Sequence, residues 1–146
     1  MLKKTSLLLF IAIVAFAFSG FTKLYSQTLP KVTVSVSKKS FKPGDSGVLT
    51  IKFKPVEGTK IPKEPQIEVT LTGDGVDGTG LQDYSGAPGG DYFSSPAVKY
   101  NFNVSGNAES GSTISAKVKI KFGYCSSENG VCKIGNVTKT IKIKVK

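Results

Sequence analysis

The chain contains two cysteines, Cys125 and Cys132, with six residues between them. The intervening segment, residues 126–131, includes Asn129-Gly130, a dipeptide typical of a tight turn between antiparallel strands. The spacing therefore predicts two sulfurs at the exposed tip of a β-hairpin. Such a pair can undergo thiol–disulfide exchange, because access and thiolate character decide the rate of attack on a disulfide.

A purely structural disulfide is the alternative use of the same pair. Closing an eight-residue loop contributes only about 2.5 kcal/mol in the chain-entropy model, and a bridge spanning most of a domain contributes more than about 4 kcal/mol. Lys133 beside Cys132 favours a thiolate there, whereas Glu128 in the turn opposes it. The residues alone leave two functions open. One is redox exchange, and the other is a non-catalytic immunoglobulin-like binding or assembly module with a structural disulfide.

Most other chemistry lacks the residues that it needs. The chain has no histidine, which removes imidazole bases and the usual zinc ligands, so neither a metal nor a cofactor is expected. The segment 73–78 matches G-x-G-x-x-G, but a loop rich in proline and glycine follows it where a dinucleotide site needs a helix. We interpret this match as accidental.

The positive charge is carried entirely by lysine. The chain has 20 basic residues, none of them arginine, and a formal net charge of +10. Lysines alternate with apolar residues, as at Lys117, Lys119 and Lys121, which is typical of a solvated sheet face. Without guanidinium groups for bidentate contacts, nucleic-acid binding is not expected. Attraction to acidic partners or to an anionic membrane surface is compatible with the charge.

Residues 1–26 have the layout of a secretory signal peptide. A basic N-terminus precedes a 12-residue apolar run, Leu7–Phe18, and small and polar residues follow. This run is shorter than the roughly 20 residues that span a bilayer as a helix. We therefore predict cleavage after Ser19 or Ser26, export to the periplasm and no stable membrane insertion. That location permits a disulfide.

Residues 27–146 are predicted to form one all-β domain. Alternation with period 2 recurs along them, and no stretch sustains a helical period. Strands are expected at Lys31–Ser37, Val48–Lys54, Gln66–Leu71, Ala97–Val104, Thr113–Phe122 and Thr138–Val145. Each has one apolar face, which favours an immunoglobulin-like antiparallel β-sandwich, with a small barrel as the alternative.

A long loop is predicted between Gly73 and Pro96, where glycine, aspartate, serine and proline dominate. Loops of this length inside a compact domain are usually functional or disordered. Asp91, Tyr92 and Phe93 stand near its end. Two aromatic side chains in a loop can pack over a site, or they can fill the end of the core.

Several motifs follow one another in a distinctive order: Phe41–Gly44, Asp91–Phe93, Lys121–Cys125, Cys132 and the strand through Thr138–Ile141. In this order the chain resembles the N-terminal periplasmic domain of the thiol:disulfide interchange protein DsbD family. The cysteine hairpin is the specific part of the resemblance.

The resemblance implies an immunoglobulin-like domain that acts in a protein-disulfide reductase system without a cofactor. The disulfide would accept electrons from membrane-embedded and thioredoxin-like domains and pass them to periplasmic oxidoreductases. Cys132 matches the cysteine that forms mixed disulfides with partners, and Cys125 matches the resolving cysteine. Asp91, Tyr92 and Phe93 match the cap loop that shields the sulfurs until a partner docks.

The chain departs from the family in three ways. Lys133 and Ile134 follow the second cysteine, where the family commonly has an aromatic residue and a proline. The segment between the cysteines has six residues, where family members can have fewer. The sequence ends at Lys146, so a membrane-embedded electron donor is expected on another chain.

Overall fold

The computed structural model describes residues 28–146. The predicted signal peptide, residues 1–26, lies outside the described residues. Among the residues described, no helix is long and apolar enough to cross a membrane.

Eight β-strands and no helix make up the described part of the chain. The strands are β1 (Lys31–Val36), β2 (Ser46–Lys54), β3 (Thr59–Lys60), β4 (Glu68–Thr72), β5 (Val76–Leu81), β6 (Ala97–Val104), β7 (Thr113–Ser126) and β8 (Cys132–Lys144). Apolar and polar residues alternate along the longer strands, so that one face of each is buried. The all-β class predicted from this alternation is confirmed.

The strands form two antiparallel sheets. The first sheet has the order β1-β2-β6-β5, and the second has the order β3-β7-β4, with β8 on β7. Strands β3 and β4 pair with different parts of β7, at residues 125–126 and 117–121 respectively. The two sheets pack face to face, and the predicted immunoglobulin-like sandwich is confirmed.

The core lies between the two sheets. Phe53 of β2 packs against Phe122 of β7, with ring centroids 4.7 Å apart, and this contact joins one sheet to the other. The rows predicted to face the core are buried: Leu49, Ile51, Phe53, Val118, Ile120, Phe122, Ile141, Ile143 and Val145.

Strand β5 lies inside the segment that the sequence predicts to be loop. The prediction was wrong for residues 76–81, which pair with β6. Glycine makes the close packing possible, since a Cβ at Gly78 would collide with the hydroxyl group of Tyr100. The G-x-G-x-x-G match thus leads into a strand and not into a helix, as expected of an accidental match.

The β7–β8 hairpin is longer than predicted and reaches the two cysteines. On the apolar side of β8, Lys139 stands opposite Val118 in register. Val118 is fully buried, whereas Lys139 is exposed. Within residues 28–146, β8 pairs with β7 along its length, and the isolated bridge Phe41–Val145 lies just beyond the end of β8. Much of β8 is therefore an open strand edge.

Candidate functional site

Cys125 and Cys132 face each other at the end of the β7–β8 ladder. They are partners in the strand register and are joined by a disulfide with an S–S distance of 2.08 Å. The turn beyond them is closed by the Ser126 N–H group, which donates to Val131 O at 2.9 Å. Gly130 has a φ of 68°, which a glycine adopts without steric cost. The predicted hairpin turn thus places the sulfurs side by side.

The two cysteines differ in their access to solvent. Cys125 is 2% exposed, whereas Cys132 lies in the exposed class. The prediction of two sulfurs at an exposed tip is therefore right for Cys132 and wrong for Cys125. Of the two bonded cysteines, Cys132 is therefore the one that solvent reaches.

Cys125 is covered because other segments pack around the end of β7. The backbone of Lys60 in β3 pairs with Cys125. Two residues before Cys125 on β7, a Cβ at Gly123 would lie 3.1 Å from Pro62 Cγ and 3.4 Å from Pro65 Cδ. The proline rings can approach the strand this closely because residue 123 has no side chain.

A cleft of about 630 Å³ opens beside the disulfide, and both cysteines line it. The other lining residues come from three stretches of chain: residues 62–66, 81–85 and 90–92. The cysteines and residues 91–92 were predicted from the sequence as site residues, but residues 62–66 were not. The signal that could have identified residues 62–66 is the pair of prolines, Pro62 and Pro65, which interrupts the strand pattern. The cleft is a concave surface that includes both cysteines of the disulfide.

Asp91 and Tyr92 lie in the wall of this cleft, together with the cysteines. Phe93 points elsewhere: it is 8% exposed and packs against Tyr84, with ring centroids 5.3 Å apart. The sequence left two roles open for these aromatic residues, packing over a site or filling the core. Phe93 fills the core, and Tyr92 lies half-buried at the cleft.

Residues 91–93 are held like a short strand against residues 61–63. The Lys63 N–H group donates to Asp91 O at 2.8 Å, and the Phe93 N–H group donates to Ile61 O at 3.0 Å. The Nζ atom of Lys60 lies 5.5 Å from the centroid of the Tyr92 ring, within the range of a cation–π contact. Backbone pairing with residues 61–63 therefore positions Asp91 and Tyr92 in the cleft wall.

Tyr84 ties the loop to the segment that follows β3. Its hydroxyl group accepts a hydrogen bond from the Ile67 N–H group at 2.8 Å. Partial burial raises the pKa of Tyr84, the Ile67 bond lowers it, and the charge of Glu64 raises it further, with a net increase. Sequence analysis gave Tyr84 no role, since a single aromatic residue in a glycine-rich loop carries no periodic signal.

Acidic side chains dominate the charged residues of the cleft. Glu64, Asp83 and Asp91 line it together with one lysine, Lys63, whose Nζ donates to Ala87 O. The Asp83 carboxylate accepts hydrogen bonds from the backbone and hydroxyl groups of Ser85, which lower its pKa. Within residues 28–146, no group of three or more histidine, cysteine, aspartate or glutamate residues is placed to hold a metal ion.

The chain matches no protein-family model and no curated protein. Among solved structures it is similar to the GAE domain of yeast GGA1, with 16% identity and a TM-score of 0.48 over 81% of this chain and 95% of that one. It is also similar to the sixth cohesin of Acetivibrio cellulolyticus scaffoldin B, with 14% identity and a TM-score of 0.43 over 82% and 100%. A third similar structure is the reduced N-terminal domain of Neisseria meningitidis DsbD, with 11% identity and a TM-score of 0.35 over 81% and 85%. Similarities this distant do not assign a function.

Proposed function

We propose that this protein performs thiol–disulfide exchange through the Cys125–Cys132 pair. The observation that carries the proposal is the difference in burial between two bonded cysteines: Cys125 is 2% exposed, and Cys132 is an exposed residue. Exchange proceeds by attack of a thiolate on an accessible sulfur. Because Cys132 is exposed and Cys125 is buried, Cys132 would react with the partner and Cys125 would resolve the mixed disulfide.

In the reducing direction, the Cys132 thiolate attacks one sulfur of a partner's disulfide and forms a mixed disulfide, which releases the partner's other sulfur as a thiolate. The Cys125 thiolate then attacks Cys132 Sγ. This step closes the intrachain disulfide and releases the partner's second thiolate. Two electrons pass from this protein to the partner, and the released thiolates take up protons from water. No cofactor takes part.

The same proposal assigns the protein to the periplasm, where its partners would be thioredoxin-like oxidoreductases. A membrane-embedded protein on another chain would return the pair to the reduced state. Asp91 and Tyr92 would act as the part of the cap that a partner displaces, since they line the cleft with both cysteines. These assignments follow the sequence resemblance to the DsbD N-terminal domain.

The experiment that tests the exchange is a redox titration. Mature protein is equilibrated in a series of glutathione and dithiothreitol buffers, and its free thiols are labelled at each step. A reduction potential well above about −300 mV supports exchange, because structural disulfides typically lie below this value. A Cys125→Ala variant should trap mixed disulfides with an oxidised thioredoxin-like protein, and a Cys132→Ala variant should trap none.

A pair that stays oxidised until the domain unfolds would contradict the proposal. The disulfide would then be structural, and the chain would be a binding or assembly module. Failure of the Cys125→Ala variant to trap a partner, with Cys132 reduced and accessible, would also contradict it.

A further inference from the structure

A row of lysines runs along the outer face of the second sheet. On the side of β7 and β8 that faces away from the core, five successive register pairs each contain one lysine. In order along the strands, these are Lys121, Lys119, Lys117, Lys142 and Lys144. All five are exposed. Register pairs on one face are about 6.7 Å apart, so the row has a length of about 27 Å.

The disulfide lies on the same face as this lysine row. Cys125 and Cys132 form the register pair two steps beyond Lys121, a distance of about 13 Å along the strands. Every residue of β8 on this side, from Cys132 to Lys144, is exposed. An open surface therefore connects the reactive sulfur of Cys132 to the lysines.

Acidic residues are scarce on this face. Glu68 of β4 stands beside Lys121 in register and forms an ion pair with it at 3.0 Å. The other residues beside the lysine row on β4, β7 and β8 are uncharged: they are threonine, serine and asparagine. Three carboxylates near the disulfide, those of Glu64, Asp83 and Asp91, lie instead in the cleft, and Glu128 lies in the turn beyond the cysteines. The two surfaces that meet at Cys132 thus carry opposite charge.

We propose that the lysine row is the docking surface for a protein partner that presents an acidic face next to its own disulfide; this rests on the proposed exchange function. Ile134 supports such a contact, because it is 50% exposed and lies between Cys132 and the lysines on this face. Protein interfaces combine an apolar centre with a polar rim, and Ile134 beside the lysines provides both kinds of contact. Charge complementarity then accelerates the encounter and orients it.

An anionic membrane fits the same surface less well. A bilayer lying flat against the lysine row would also cover Cys132, which shares that face and must remain accessible for exchange. Nucleic acid fits poorly too, because lysines offer no bidentate contacts to bases.

The test compares two peptides of equal length, each with one internal disulfide. One carries aspartate and glutamate around its cysteines, and the other carries serine and glutamine. Reduced protein is mixed with each peptide, and the peptide thiols are measured over time at low and high salt. We expect the acidic peptide to be reduced faster at low salt, on the order of tenfold, and the advantage to fall as salt screens the charges.

A charge-reversal triple variant removes the row: Lys117→Glu, Lys119→Glu and Lys142→Glu. Its matched control reverses three exposed lysines on the outer face of the first sheet: Lys52→Glu, Lys54→Glu and Lys99→Glu. The first variant should lose the preference for the acidic peptide, and the control should keep most of it. Reduction of bis(2-hydroxyethyl) disulfide, a small neutral disulfide, should proceed at the same rate in all three proteins.

Equal rates with both peptides in the unmodified protein would overturn the docking proposal while leaving exchange intact. An equal loss in both variants would also overturn it, since net charge alone would then be responsible. Sedimentation with phosphatidylglycerol vesicles that depends on the row, without any peptide preference, would assign the face to a membrane. If neither peptide is reduced, the exchange function itself fails, and the docking proposal fails with it.

Discussion

Pro62 lies directly over Gly123, so that a Cβ at residue 123 would come within 3.1 Å of the proline ring. We expect Gly123→Val to push the ring away and to open the cover of Cys125. Overpacking of this kind costs about 1–3 kcal/mol. The rate at which dithiothreitol reduces the native disulfide should rise, and the free energy of unfolding in urea should fall.

Gly106→Val is the matched control, because a Cβ at Gly106 would meet nothing within 4 Å. Gly106→Val should leave the reduction rate and the free energy of unfolding close to those of the unmodified protein. A Gly123→Val protein that is reduced at the original rate would mean that the proline rings do not protect the bond.

Reduction of the disulfide should weaken the fold without abolishing it. The bond closes a small loop at the end of a ladder that continues through Thr113 and Lys144. We expect the reduced protein to remain folded and to lose about 2.5 kcal/mol in the free energy of unfolding, the value for an eight-residue loop. Urea titrations with and without dithiothreitol measure this loss. Complete unfolding on reduction would be incompatible with a redox cycle.

The two thiols of the reduced protein should differ in reactivity. Cys125 is 2% exposed and Cys132 is open to solvent. We expect the Cys125→Ala variant to react with iodoacetamide faster than Cys132→Ala does, on the order of tenfold. Equal rates in the folded state would remove the basis for separate attacking and resolving roles. Equal rates in denaturant are the expected control.

The hydrogen bond between the Tyr84 hydroxyl group and the Ile67 N–H group stabilises the cleft wall. Tyr84→Phe removes the acceptor and should lower the free energy of unfolding by about 1–2 kcal/mol at neutral pH. Urea titration of the two proteins measures this difference. An unchanged stability would mean that water replaces the hydroxyl group.

Alkaline pH should destabilise the wild-type protein through the same residue. The pKa of Tyr84 in the folded state is raised above its ordinary value of 10.0, chiefly by burial. A group with a raised folded-state pKa contributes stability below its unfolded pKa, and this contribution is lost as the pH rises through the folded pKa. Stability should therefore fall more between pH 9 and 12, roughly, in wild type than in Tyr84→Phe. Parallel pH profiles would contradict this assignment.

The long strands were predictable because each buries one face of a regular alternation. Strand β6 was predicted with its exact bounds, and β1 to within one residue. Strand β3 has two residues, too few to show a period. Strand β5 contains glycine at two positions where a side chain would otherwise mark the pattern. Strand β5 is held by backbone pairing with β6, and backbone hydrogen bonds do not require particular residue types.

The disulfide hairpin was predictable, but the unequal burial of its two cysteines was not. The cysteine spacing and the turn residues between Cys125 and Cys132 were enough to predict the hairpin. The burial of Cys125 depends on Pro62 and Pro65, which lie far away in the sequence and pack against a glycine. A contact between residues so far apart in the sequence cannot be predicted from the residue pattern around Cys125. The lysine row was also predictable only in part. Alternation of lysine with apolar residues predicts a charged face, but the alignment of these lysines with the disulfide depends on the register of β7 with β8.

Lys139 has a consequence for how copies of this protein meet one another. An open strand edge presents unpaired backbone groups, to which another extended chain can add. On β8, a second molecule that paired in this way would bring apolar side chains against Lys139, which stands opposite the buried Val118. An ammonium group at that position makes such an addition costly. The strand that carries Cys132 is thereby protected against pairing edge to edge with a second copy.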